Sequence, residues 1–177
     1  MNPSPVTPVY PVIDIVLQLN GEQRSASVEP RELLIDVLRS QFGLTGTKRS
    51  CDVEVCGACT VLVDGLPVSS CSTLAADADG RSVTTIEGLS QGGRLDPIQR
   101  AFIEHGAMQC GFCTPGMVLA VKSLLAEHAQ PTDEQIRHYL RGNICRCTGY
   151  VKIIEAIKDV AAQLAANAAP TNAKENT

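Results

Sequence analysis

The chain is 177 residues long, 44% hydrophobic, with eight cysteines, three histidines, no tryptophan and a formal net charge of −4. That length holds one domain or two small ones, and that hydrophobic content excludes a chain disordered throughout. The acidic balance excludes nucleic acid as the main partner, because phosphate binding needs a basic face.

No stretch approaches the roughly 20 apolar residues of a membrane span. The start, Met1 to Pro11, carries Pro5, Pro8 and Pro11 and lacks the basic cluster of an export signal, so a reducing, cytoplasmic setting is expected. Residues 1–10 read as a flexible lead-in. Val12, Ile13, Ile15, Val16, Leu17 and Leu19 make a strand-like run, Asn20-Gly21 signals a hairpin, and Arg24 to Val28 reads as its return. Pro30 suits a first helical turn, Leu33, Leu34, Val37, Leu38 and Phe42 keep helical spacing, and Gly43 stops the helix. Thr60 to Val63 and Leu66 to Ser70 form a second hairpin about Asp64-Gly65, and Ser82 to Ile86 a further strand. The first half is thus a small mixed sheet with one packed helix.

Ser90-Gln91-Gly92-Gly93-Arg94 reads as a linker, after which the pattern turns helical. Asp96-Pro97 starts a helix carrying Ile98, Ala101 and Phe102. Thr114-Pro115 starts another, with Thr114 as the capping residue and a stripe of Val118, Val121 and Leu125. Pro131-Thr132-Asp133 starts a third, with Ile136, Tyr139 and Leu140. A fourth begins near Gly149-Tyr150 and shows Ile153, Ile154, Ile157, Val160, Ala161 and Leu164. The end from Asn167 onward is expected to fray. The domain expectation is therefore 11–89 and 95–166, with flexible ends at 1–10 and 167–177.

The cysteines carry the chemistry. They fall into two complete sets, C-x4-C-x2-C-x11-C at Cys51, Cys56, Cys59 and Cys71, and C-x2-C-x31-C-x-C at Cys110, Cys113, Cys145 and Cys147. Without an oxidising compartment, metal binding reads better than disulfides. The first spacing is that of plant-type [2Fe-2S] proteins: close ligands make the backbone wrap the cluster and turn its N–H groups toward the sulfurs. The rival is zinc, which takes four thiolates as two C-x2–4-C knuckles; three cysteines within nine residues suit it poorly. The second set lies before two helix N-termini, which favour negative charge. His105, His128 and His138 show no metal-ligand spacing and read as ordinary histidines, and no nucleophile set of serine, histidine and carboxylate is present.

The chain resembles the small iron–sulfur subunit of the molybdenum hydroxylases, the xanthine oxidase, aldehyde oxidoreductase and carbon monoxide dehydrogenase family. The residues that carry the resemblance are Leu44-Thr45-Gly46-Thr47-Lys48, Cys51, Cys56-Gly57-Ala58-Cys59-Thr60-Val61, Asp64-Gly65, Val68-Ser69-Ser70-Cys71 and Thr85-Ile86-Glu87-Gly88-Leu89. In the second half they are Gln109-Cys110-Gly111-Phe112-Cys113-Thr114-Pro115-Gly116 and Arg141-Gly142-Asn143-Ile144-Cys145-Arg146-Cys147-Thr148-Gly149-Tyr150. Many relatives have glycines where this chain has Ser50 and Val53, which bears on loop geometry and potential, not on ligation.

The resemblance implies an α+β fold: a β-grasp, ferredoxin-like domain holding one [2Fe-2S] cluster, then an all-α four-helix domain holding the other. It implies a large subunit whose molybdopterin, in the cytosine dinucleotide form, lies by the second cluster and touches Gln109 and the backbone near Cys147. It implies a medium subunit whose FAD lies nearer the first cluster, and a dimer of heterotrimers. Electrons would leave molybdenum through the second cluster, then the first, to FAD. Substrate choice would rest with the large subunit. From the residues alone, Gln109 reads first as an amide capping the cysteine loop, and the pterin contact is what the resemblance implies. Arg146 is either a charge balance or an interface ion pair, Phe112 shields sulfur from water, and Lys48 and Arg49 lie on a solvated loop. The rival functions are a free-standing two-cluster electron carrier and a structural double-zinc protein.

Overall fold

The computed structural model describes residues 11–168. Residues 1–10 and 169–177, expected to be flexible, lie outside the described residues.

Five strands make one mixed sheet in the order β2-β1-β5-β3-β4. β1 (Ile13–Leu19) and β2 (Glu22–Val28) pair antiparallel about Asn20-Gly21, in a register that sets Ile13 opposite Val28 and Leu19 opposite Glu22. The return strand starts two residues earlier than the sequence suggests, because this tight turn lets pairing begin at once. β3 (Thr60–Val63) and β4 (Leu66–Ser69) form the second hairpin, and the short β5 (Ser82–Thr84) lies parallel to β1 and antiparallel to β3. Ile15, Leu17, Leu19, Val28, Val61, Val63 and Val83 point to one face and are buried against Leu34, Val37 and Leu38. The alternation of side chains along a strand puts this set on one side.

The helix on that face, α1, differs from the expectation. It is regular only over Leu34–Asp36 and widens into a π-turn over Val37–Gln41. Pro30 lies in the turn before it, because Leu33 is still extended and bridges Leu74. The last strand is also shorter than expected: after Thr84 the chain tightens into a single 3-10 turn over Ile86–Gly88.

A second core lies among α2 (Pro97–Glu104), α3 (Thr114–Glu127), α4 (Asp133–Tyr139) and α5 (Val151–Ala168). Ile98, Phe102, Met117, Val121, Leu124, Ile136, Ile153 and Ile157 fill it. Asp96 caps α2 and Thr132 caps α4, each in a reciprocal capping box with the glutamine three residues on. Thr114 is not a cap. Cys113 already has helical dihedrals and accepts from Met117 N, so Thr114 is the first residue of α3 and caps nothing. α5 continues through Asn167 and Ala168 instead of ending at 166; its last turns are alanine-rich, which favours helix.

The two cores meet where α3 covers the outer face of β3, burying Thr60 and Leu62 as well as Val61 and Val63. Glycines make the approach possible. A Cβ on Gly116 would run into the carbonyl of Gly57, and a Cβ on Gly57, whose φ is +68°, would run into the carbonyl of Gly142. Backbone meets backbone here, and only glycine leaves room.

Candidate metal centres

All eight cysteines are free of disulfides; Cys51 neighbours Cys56, and Cys59 neighbours Cys56 and Cys71, while Cys113 neighbours Cys145 and Cys110, and Cys110 neighbours Cys147. Each set has an inner and an outer pair. In the first, Cys59 and Cys71 are buried while Cys51 and Cys56 are half-buried; in the second, Cys145 is buried and Cys113 half-buried while Cys110 and Cys147 are exposed. The outer sulfurs of Cys110 and Cys147 are 3.6 Å apart.

Ser70 ties the first set's inner pair. Its hydroxyl donates to the Cys59 carbonyl at 2.7 Å, and its own carbonyl accepts from Ile35 N at 3.1 Å, at the start of α1. Ile35, fully buried, forms one apolar cluster with Cys59 and Cys71. Burial first, and Cys71 beside it, push the Cys59 thiol up to about 11. The outer Cys51 is opposite in character. Backbone N–H groups of Val53, then Val55 and Cys56, hold its thiol down at about 6, and Val55 N lies 3.4 Å from the sulfur. This is the N–H cradle expected of a wrapped loop. Asp52 and Glu54 take left-handed dihedrals, φ +56° and +58°, to make the wrap. Lys48 and Arg49 do more than face solvent: Arg49 pairs with Asp36 of α1 and with Asp52 at 2.9 Å, and Lys48 donates to the Thr45 carbonyl at 2.8 Å. Val53 and Val55 are exposed at the rim, 66% and 57%.

In the second set Cys113 stands at the N-terminus of α3, and burial, then Cys145, push its thiol up to about 12. At Cys145 burial also works upward. The Thr148 hydroxyl, 3.1 Å from the sulfur, together with the backbones of Thr148 and Cys147 and the Cys113 thiol, outweighs it, so this thiol is lowered. Gln109 is exposed, and its amide has no hydrogen-bond partner among the described residues, so it does not cap the cysteine loop. Arg146 is exposed with no ion pair among the described residues, and Phe112 is 46% exposed. The three histidines lie elsewhere: His105 pairs with Asp159 at 2.9 Å, His128 with Glu127 at 3.4 Å, and His138 is exposed on α4.

The two sets are joined. Ile144 N donates to the Cys56 carbonyl at 2.9 Å, and the Asn143 amide donates to the Gly57 carbonyl at 3.2 Å. No sequence periodicity signals these contacts; they are made by loops remote in the chain. Sequence reasoning passes over Ile35, and it names Ser70, Thr148 and Tyr150 only as parts of motifs, with no role for the Tyr150 hydroxyl, which binds Cys145 N at 2.8 Å.

Chemically, eight thiols are soft donors, suited to iron or zinc. Among the described residues no three or more histidine, cysteine or acidic side chains converge as a site for a single metal ion. Cys51, Cys56, Cys59 and Cys71 would hold one iron–sulfur cluster and Cys110, Cys113, Cys145 and Cys147 another, each supplying one-electron redox chemistry. The buried Thr47 hydroxyl, in the segment leading to Cys51, has no hydrogen-bond partner among the described residues. The residues present fit two iron–sulfur clusters.

Fold and sulfur sets together define an iron–sulfur protein of two joined parts. Residues 31–103 match the family described as 2Fe-2S iron-sulfur cluster binding domain, and residues 85–158 the family described as [2Fe-2S] binding domain. The nicotinate dehydrogenase small FeS subunit of Eubacterium barkeri is 49% identical over 82% of this chain and 93% of its own length. The nicotine 6-hydroxylase small subunit of Paenarthrobacter nicotinovorans is 49% identical over 86% of this chain and 92% of its own. Among solved structures, quinoline 2-oxidoreductase from Pseudomonas putida 86 superposes with a TM-score of 0.85 at 49% identity, over 89% of this chain and 98% of that one. The aldehyde oxidoreductase of Desulfovibrio gigas matches over 89% of this chain but only 18% of its own, with a TM-score of 0.84 and 42% identity. The chain belongs to the family of small [2Fe-2S] iron–sulfur subunits of the molybdenum hydroxylases. No helix among the described residues is long and apolar enough to cross a membrane.

Proposed function

We propose that the chain holds one [2Fe-2S] cluster on Cys51, Cys56, Cys59 and Cys71 within a β-grasp domain, residues 11–89, and a second on Cys110, Cys113, Cys145 and Cys147 within a four-helix domain, residues 95–166. Through them electrons pass from a molybdopterin centre in a large partner subunit to FAD in a medium one. The observation that carries this reading is the Ile144–Cys56 hydrogen bond, which joins a neighbour of one ligand, Cys145, to another ligand, Cys56, across 2.9 Å. Bound at these sulfurs, the clusters supply reversible one-electron storage.

This chain's own residues fix where that storage sits and how readily it fills. Burial by Ile35, the backbone N–H groups around Cys51 and the Thr148 hydroxyl at Cys145 all stabilise charge at sulfur or keep water from it. Cys110 and Cys147, exposed beside the unpartnered amide of Gln109, suit contact with the pterin, for which that amide offers both a donor and acceptors. Met108, Phe112, Ile144 and Val151, close to this pair in sequence, are exposed apolar side chains that a large subunit would cover. Kinship supports the rest of the reading: the cytosine dinucleotide form of molybdopterin, a dimer of heterotrimers, and work in the cytoplasm, where free thiols persist.

Purification of the native complex tests it. Iron and acid-labile sulfide in equal amounts, with a molybdenum-bearing subunit and a flavin subunit in the same particle, are expected. Zinc in place of iron, or a chain that never co-purifies with molybdenum, overturns it.

A further inference from the structure

Tyr150 is the one aromatic residue among the described residues with a left-handed backbone, φ +69°, a conformation that bulky side chains avoid. Strain of this kind persists where the surroundings over-determine it and often marks a functional position. Its phenol is half-buried against the helical core and makes two bonds: the hydroxyl accepts from Cys145 N at 2.8 Å and donates to the Asn143 carbonyl at 3.1 Å. Those two groups bracket one residue, Ile144. On the other side of the same segment, Ile144 N donates to the Cys56 carbonyl at 2.9 Å and the Asn143 amide donates to the Gly57 carbonyl at 3.2 Å.

The left-handed turn is what delivers the hydroxyl. Tyr150 N donates to the Thr148 hydroxyl at 3.3 Å, and Tyr150 O accepts from Ile154 N as α5 begins, so the residue is fixed on both sides and its ring is folded back over the segment. Held by a rigid phenol at both ends, the Ile144 N–H keeps its aim at Cys56. We propose that Tyr150 is a positioning residue for electron passage between the two sulfur sets: its hydroxyl clamps Asn143–Cys145 so that the Ile144–Cys56 bond stays formed. The proposal rests on the two-cluster reading above.

The test uses the assembled complex carrying Tyr150→Phe. Electron redistribution between the clusters is followed after flash reduction, beside iron content and the midpoint potentials of both clusters. Several-fold slower redistribution, with iron content and potentials unchanged, is the expected result. Wild-type rate in Tyr150→Phe overturns the proposal. So does a rate change fully accounted for by shifted potentials, since the phenol would then tune a cluster and not position the path. Ile144→Pro removes the donor itself; Asn143, at φ −120° and ψ 99°, is already extended as a residue before proline must be. This variant is expected to slow redistribution as Tyr150→Phe does, and the double variant to be no slower than either. If Tyr150→Phe does not retain iron, Ile144→Pro alone decides: an unchanged rate there overturns the proposal, and a slowed one upholds the path it positions. If the wild-type complex lacks two clusters, or shows no redistribution between them, the two-cluster reading itself fails, a result distinct from failure of the Tyr150 role.

Discussion

The side-chain amide of Asn143 donates to the carbonyl oxygen of Gly57 at 3.2 Å, so a residue two positions before Cys145 holds the residue that follows Cys56. The same carbonyl accepts from the Thr60 hydroxyl at 2.8 Å and faces Gly116 of α3. One peptide group thus takes bonds from its own loop and from the second half of the chain. The two sulfur sets therefore share one rigid junction, and disturbance of the junction should reach both.

Gly116→Ala tests the junction. The added methyl meets the Gly57 carbonyl, and neither partner is a flexible side chain that could swing aside. Overpacking of this kind costs about 1–3 kcal/mol. For a chain of this size each kcal/mol lowers the melting temperature by roughly 2–4 °C. Thermal unfolding of the complex should show the fall, and an unchanged melting temperature would mean that the two halves do not press together as described.

Thr148→Val probes the second set. The Thr148 hydroxyl stabilises negative charge on the Cys145 sulfur. A reduced cluster carries one more electron, so a donor to its ligand raises the potential, and removal of that donor lowers it. A redox titration followed by EPR should show the second cluster shifting downward while the first stays put. An upward shift, or equal shifts in both, contradicts the assignment of that hydroxyl to one cluster.

Much of this arrangement is legible in the sequence and some is not, for a physical reason in each case. The Asn20-Gly21 turn and the helix starts at Asp96-Pro97 and Pro131-Thr132-Asp133 are local signals, and the structure follows them. The π-turn at Val37–Gln41 departs from the reading because helical spacing of apolar residues does not distinguish 3.6 residues per turn from a wider turn over so short a segment. The Thr114 cap fails because its neighbour, Cys113, is drawn into helical dihedrals beside the sulfur set. The Ile144–Cys56 bond and the left-handed Tyr150 are products of tertiary packing, and no window of sequence contains both partners.

The loop around Cys51 offers a prediction with opposite sign to that of Thr148. Asp52 and Glu54 are left-handed, a conformation that favours glycine, and among the described residues the Glu54 carboxylate accepts one side-chain hydrogen bond, from the Ser72 hydroxyl at 3.0 Å. A left-handed L-residue costs about 1–2 kcal/mol, so Glu54→Gly relieves strain while giving up one exposed hydrogen bond. It also removes a negative charge near the first cluster, which favours the reduced state. The first cluster's potential should rise with no loss of thermal stability. A fall in potential would show that the carboxylate does not act on the cluster.

The order of the two clusters is open to a direct test. Serine has nearly the size of cysteine but is a hard, poor ligand for iron, so Cys147→Ser should weaken the exposed cluster and Cys59→Ser the buried one. Because ligation energy is folding energy in small metal domains, each variant is first checked for iron content in the assembled complex. Rapid-freeze EPR after addition of substrate then reads the path. With Cys59→Ser, the signal of the second cluster should still appear while the flavin stays oxidised. With Cys147→Ser, neither cluster signal should appear on the time scale of turnover, since on the proposed path electrons enter at the Cys110–Cys147 pair. Persistence of flavin reduction in Cys59→Ser, with the second cluster's signal gone, would reverse the order. The exposed pair would then be the exit, and the rim at Val53 and Val55 the entry.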